Sequence, residues 1–141
     1  MKIYLIGSLS NPRIPEVGQA LRSLGHNVFD DWFSSGPDTD VFWYKYEQKR
    51  GRTFKEALNG FHAKHAFALD KYHLDMAEAA VLVLPAGRSA HLELGYMAGK
   101  GKPAYILLEK EPERFDIMYN FATDIVYSVD ELMRRLSGNS K

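Results

Sequence analysis

Five short apolar runs punctuate the sequence: KIYLIG, HNVFDDW, AVLVLP, PAYILLE and IVYS. Glycine, proline or polar residues bound them, and stretches with helical spacing stand between them. Runs this short read as buried strands. Strands alternating with helices call for a parallel sheet, because each parallel pair needs a crossover that covers a face. The expectation is an α/β fold: a single domain over residues 1–141, built as a three-layer doubly wound sandwich. It should hold about five mostly parallel strands in a flavodoxin- or Rossmann-like arrangement. With 141 residues the chain is long enough to bury such a core.

Between the strands, Val17, Leu21 and Leu24 recur at helical spacing after Pro12, and Gly25 suits a helix stop. Phe33 to Asp40 reads as loop, and the aromatic, basic stretch WYKYEQKRGR shows no clean period. The segment from Thr53 to Ala80 is mostly helical with a break at Asn59-Gly60, and Leu74 and Ala77 face the core. A further helix starts near Ser89, which is placed to cap it, and ends at Gly99 or Gly101. Residues 111–124 are irregular or partly helical, and VDELMRRL is a closing amphipathic helix.

Composition narrows the chemistry. There is no cysteine, which excludes disulfides, thiolate catalysis and cysteine-ligated metals. Lys+Arg and Asp+Glu number 18 each, so the basic excess of a nucleic-acid or anionic-membrane surface is missing. The apolar run Ile3 to Ile6 is too short for a signal core or a membrane span, and a cytoplasmic setting is expected. His62, His65, His73 and Asp70 offer an imaginable metal set, but histidines on a mixed helical face rarely form one, and none is assigned. GxGxxG, GxxxxGK[ST] and GxSxG patterns are missing from the sequence.

In an open parallel sheet, ligands bind beyond the carboxyl ends of the strands. Three segments converge there: GSLSNPR with Gly7 and Ser8, DDWFSSGPD with Asp31 and Trp32, and PAGRSAHLE with Gly87, Arg88 and Ser89. The acid among apolar neighbours in that last segment is Glu93. Helical side chains lean toward the N-terminus, which aims its carboxylate back at the crevice. Asp70 shares a helical face with Leu74 and lies near the same sheet edge, whereas Asp75 falls on another face and should be solvated. The rings of Trp32 and Trp43 could stack on a base or simply pack.

Asp70-x-x-x-Leu-x-x-Ala-Glu, then a buried strand, a small-residue loop and ELGYxxGxGKP, resembles the nucleoside 2-deoxyribosyltransferase superfamily, which also holds the 2'-deoxynucleoside 5'-monophosphate N-hydrolases. KIYLIGSL is similar to that group's first strand and turn, and FDIMYNFATDIV to the region before its last strand. The resemblance implies Glu93 as nucleophile and Asp70 as the acid handling the proton of the base. It also implies Tyr4, Gly7 and Ser8 as substrate-lining residues. Asp116 falls near a substrate-contacting position that a neighbouring subunit supplies in the transferases. The expected partners are a nucleoside or nucleotide and further copies of the chain, as a homodimer or higher homo-oligomer, with no cofactor. Gly87 departs from the pattern: the family carries an acid or a serine there, and Arg88 and Ser89 stand beside it. The aromatic stretch from Trp32 to Tyr46 is also atypical.

The implied reaction is cleavage of an N-glycosidic bond. A carboxylate meets the oxocarbenium-like carbon, a second carboxyl of raised pKa protonates the leaving base, and Glu93 is expected to stay ionised while Asp70 is partly protonated. Transfer to another base and hydrolysis both remain open, as does nucleoside against 5'-monophosphate. The alternatives are a non-enzymatic nucleotide sensor on the same fold and a glycohydrolase of another nucleotide such as NAD.

Overall fold

A computed structural model describes residues 1–138. The five predicted strands are β1 (Lys2–Ile6), β2 (Asn27–Phe29), β3 (Ala79–Val83), β4 (Ala104–Leu107) and β5 (Asp124–Val126). They form one sheet in the order β2-β1-β3-β4-β5, with every neighbouring pair parallel. The helices are α1 (Arg13–Ser23), α2 (Thr39–Lys49), α3 (Phe54–Leu58), α4 (Phe61–Met76), α5 (Arg88–Gly99) and α6 (Val129–Leu136). The α/β sandwich anticipated from the alternation is the one that forms.

The pleat sorts each strand between two layers. Ile3, Leu5, Val81, Val83, Tyr105 and Leu107 face one side, where Ile14, Val17 and Leu21 of α1 and Leu132 and Leu136 of α6 cover them. Tyr4, Ile6, Ala80, Leu82, Ala104 and Ile106 face the other, under Leu74 of α4 and Ala90, Leu94 and Met97 of α5. All five residues of β3 are buried, as a central parallel strand requires. Each fully buried Ile or Leu in these layers contributes about 1.5–3 kcal/mol over its exposed state.

Several local expectations give way. Leu24 lies on the exposed side of α1's end, although Gly25 does take the left-handed conformation that stops it, at φ 89°. The second strand stops at Phe29, the 3₁₀ turn Asp31–Ser35 runs into the stretch read as loop, and α2 takes the end of that loop and most of the aperiodic aromatic stretch. α2 hides from a hydrophobic-period reading because its buried residue is charged: Glu47 meets the Arg52 guanidinium at 2.9 Å. α5 begins one residue before Ser89, with Gly87 at its N-cap position and no side-chain cap, so Ser89 lies inside the first turn with its hydroxyl free of that duty. Asp75 is not simply solvated. Its carboxylate accepts from Tyr96 and meets Lys71 and Lys100 at 2.9 and 3.0 Å, which ties the end of α4 to α5.

The order 2-1-3-4-5 reverses direction between β1 and β3, and the crevice at that switch point is where such sheets take ligands. The loop from Gly7 to Pro12 and the loop from Leu84 to Gly87 leave the sheet on either side of it. A Cβ at Gly7 would sit 2.5 Å from Cδ1 of Ile14, so a larger residue there would require the Ile14 side chain to shift.

Candidate active site

The inner face of α5 carries Ala90, Leu94 and Met97, and Glu93 falls on the same stripe, three residues past Ala90 and four before Met97. A carboxylate on that stripe must point at the sheet. It meets Tyr4 of β1, whose hydroxyl donates to Glu93 Oε2 at 3.0 Å. Tyr4 reaches it because position 4 faces the α4–α5 layer while Ile3 and Leu5 face the other.

Burial dominates the electrostatics of this pair. It pushes the Glu93 carboxyl up to about 7, the Tyr4 hydrogen bond pulls it back down in part, and the charge of Asp70 adds to the rise. The Tyr4 hydroxyl is driven far above its ordinary range, first by burial and then by the charges of Glu93 and Asp70, so it remains a donor at any physiological pH. Asp70, half-buried on α4, is itself pushed up by burial, with His73 opposing. The sequence led to the expectation that Glu93 stays ionised; with burial raising it to about 7, it instead titrates within the neutral range. A carboxylate on the inner face of a helix with one hydroxyl donor keeps too little of its solvation. Both carboxyls are raised, and Glu93, at about 7, is partly protonated at neutral pH.

Around this centre an aromatic chain runs outward. Tyr4 lies 5.3 Å from Phe29, and Phe29 stacks on His73 at 3.8 Å. Trp32 packs on both layers, and its indole N–H donates to the Leu5 carbonyl at 2.8 Å. β2 ends at Phe29, opposite Tyr4, so this indole serves a β1 carbonyl beyond the end of the edge strand. Asp31 lines a separate groove of about 380 Å³ on the Phe29–His73 side, with Lys2, Asn27, Tyr72 and Met76. Trp43 lines another, of about 390 Å³, with Phe42, Tyr46 and His62. Ser8 hydrogen-bonds Ser10 within the loop after β1.

Arg88 and Ser89 are exposed, and among the described residues neither has a side-chain hydrogen bond or ion pair; the partner of Glu93 is Tyr4, not Arg88. A Cβ on Gly87 would meet nothing within 4 Å, so the space above the α5 N-terminus is open. Asp116 accepts from the Met118 N–H at 2.9 Å and starts a 3₁₀ turn at Ile117–Phe121. No group of three or more His, Asp or Glu residues is placed to hold a metal among the described residues, and no helix there is long and apolar enough to cross a membrane.

Sequence reasoning did not reach the contacts of Phe29, His73, His91 and Tyr119: Phe29 stacks on His73, and His91 lies 2.7 Å from the Gly87 carbonyl oxygen and 2.9 Å from the Tyr119 hydroxyl. The spacing Gly87–His91 was a usable signal, since a side chain one turn into a helix can reach back to the N-cap carbonyl. Tyr119 and Phe29 meet their partners only through the fold.

No protein-family model matches the sequence, nor does any curated protein. Solved structures do. A 2-deoxyribosyltransferase from the psychrotolerant bacterium Bacillus psychrosaccharolyticus matches with a TM-score of 0.63 at 20% identity, over 94% of this chain and 90% of that one. A Clostridium botulinum CMP N-glycosidase matches with a TM-score of 0.56 at 15% identity, over 97% and 99%. A conserved protein from Enterococcus faecalis V583 gives 0.64 at 13% identity, over 99% and 98%. The chain thus has, over nearly its whole length, the fold of a 2-deoxyribosyltransferase and of a CMP N-glycosidase, the fold its sequence resemblance implied.

Proposed function

We propose that the protein cleaves the N-glycosidic bond of a 2'-deoxynucleoside 5'-monophosphate, with Glu93 as nucleophile and Asp70 as the acid that protonates the leaving base. The observation that carries this reading is the Tyr4–Glu93 hydrogen bond at the sheet's switch point, with Asp70 close enough to raise both groups. In the reactive arrangement Glu93 is ionised and Asp70 protonated. A Glu93 oxygen attacks the anomeric carbon, the C–N bond breaks, and its electron pair leaves on the base as Asp70 delivers a proton. The glycosyl-enzyme is released by water, activated by the now ionised Asp70, or by a second base. Tyr4 steadies the ionised Glu93 before attack.

A 5'-phosphate suits the open α5 N-terminus. Uncapped N–H groups, the Ser89 hydroxyl and the free Arg88 guanidinium together favour an anion over a bare hydroxyl. The fold shared with a CMP N-glycosidase supports a monophosphate as well. The chain also assembles with further copies of itself: Phe61, Leu92 and Phe115 are 97%, 76% and 86% exposed, more bare apolar side chain than a lone subunit needs. Light scattering at micromolar concentration checks this, and a monomer would count against it.

The activity is tested by incubating the protein with deoxynucleosides and with their 5'-monophosphates, with and without a second free base, and following base release by chromatography. Free base from monophosphates in water is the expected result. Product from nucleosides only in the presence of an acceptor base would instead make the protein a transferase. Ligand-induced thermal stabilisation without turnover would make it a sensor.

A further inference from the structure

His91 stands one turn into α5, two residues before Glu93, and joins two segments remote in sequence. Its Nδ1 lies 2.7 Å from the Gly87 carbonyl oxygen, and its Nε2 lies 2.9 Å from the Tyr119 hydroxyl. A carbonyl can only accept, so Nδ1 carries the hydrogen, and in the neutral ring Nε2 must then accept from Tyr119. The two rings also stack at 5.7 Å. Both ring nitrogens are thereby used within the protein.

The 3₁₀ turn that carries Tyr119 is tied at its far end, where Thr123 bonds Ala104 of β4, and through Tyr119 and Ala122, which pack on the α4–α5 layer; the Tyr119 hydroxyl makes its side-chain hydrogen bond to α5. Among Ile117–Phe121 only Tyr119 is half-buried; Ile117, Met118 and Phe121 are exposed. The other end of the bridge is Gly87, the residue from which the open α5 N-terminus starts. We propose that His91 is a positioning residue: by clamping the Gly87 loop to the Asp116–Phe121 segment, it fixes the wall of the site beside the sugar-phosphate of the substrate. This rests on the glycosidic-cleavage reading above for what the wall contacts, but not for the clamp. His91 touches no reacting atom in this role. It acts through Gly87 and Tyr119, and its loss should weaken substrate binding while leaving the chemistry of Glu93 in place.

Tyr119→Phe removes one hydroxyl and keeps the ring. His91→Phe keeps a ring for stacking and removes both hydrogen bonds. In each folded variant, amide hydrogen exchange across residues 116–122 should accelerate by about fivefold to tenfold, the worth of one net hydrogen bond. KM for a deoxynucleoside 5'-monophosphate should rise by a similar factor, with kcat within about twofold. The double variant should be no worse than His91→Phe, because the two residues form one link. Unchanged exchange and unchanged KM in Tyr119→Phe would overturn the proposal. So would faster exchange with unchanged KM, a fall in kcat at constant KM, or effects that add in the double variant. Should the wild type cleave no nucleotide, the exchange rates alone decide whether the clamp exists, and the glycosidic reading fails separately.

Discussion

The Tyr4 hydroxyl donates to Glu93 Oε2 at 3.0 Å, joining the central region of the sheet to the inner face of α5. This contact opposes the effect of burial on Glu93 and sets how much of that carboxylate is ionised near neutrality.

Removing the donor should therefore move the enzyme's pH profile. Because the reactive form has Glu93 ionised and Asp70 protonated, kcat/KM should follow a bell in pH, with Glu93, at about 7, setting one of its limbs. Tyr4→Phe takes away a hydrogen bond that favours the ionised form, so the limb set by Glu93 should shift to higher pH, by about one pH unit. A pH–rate profile of both proteins is the measurement. A limb that stays put would show that Tyr4 does not tune Glu93.

Glu93→Gln and Glu93→Ala should each lower base release by roughly 10³-fold or more, as loss of a nucleophile does, with the fold and nucleotide binding largely retained. Near wild-type turnover in Glu93→Ala would remove Glu93 from the nucleophile's role.

The same carboxyl should leave a mark on stability. The folded value, about 7, lies above the ordinary 4.5, so folding favours the protonated form. Its contribution is fully present below pH 4.5 and is lost as pH rises through 7. Glu93→Gln mimics the protonated acid. It should therefore gain stability over wild type at pH 8, by up to about 3 kcal/mol, and little at pH 4. Thermal melts at the two pH values test the sign. Equal differences at both would mean that ionisation of Glu93 carries no folding cost.

Arg88→Ala combined with Ser89→Ala should weaken monophosphates far more than nucleosides. A tenfold or greater rise in KM is expected for the phosphorylated substrate, roughly one charge-assisted contact. Equal losses on both substrates would refute a phosphate at the α5 N-terminus.

Trp32→Phe should cost about 1–3 kcal/mol in denaturant unfolding, because the Leu5 carbonyl loses its indole donor beyond the end of β2. A change within experimental error would mean that solvent replaces the indole.

Much of this was legible in the sequence. The alternation of short apolar runs with helical spacing determined the parallel sheet, because such runs can hide their backbone groups only beside one another, under helices. The N-terminal lean of helical side chains aimed Glu93 at the crevice, and Asp70, four before Leu74, shared that residue's helical face. Those are local periodicities, and local spacing specifies which way a side chain points. What the side chain then meets is not local. Tyr4 and Glu93 are 89 positions apart, and His91 and Tyr119 are 28 apart. Only the packing of α5 over β1, and the return of the chain after β4, brought these partners within hydrogen-bond distance. The expectation that Glu93 stays ionised failed for the same reason. A carboxyl's pKa follows from how much water the fold removes and which donors it supplies in return, and both are set by neighbours far away in sequence.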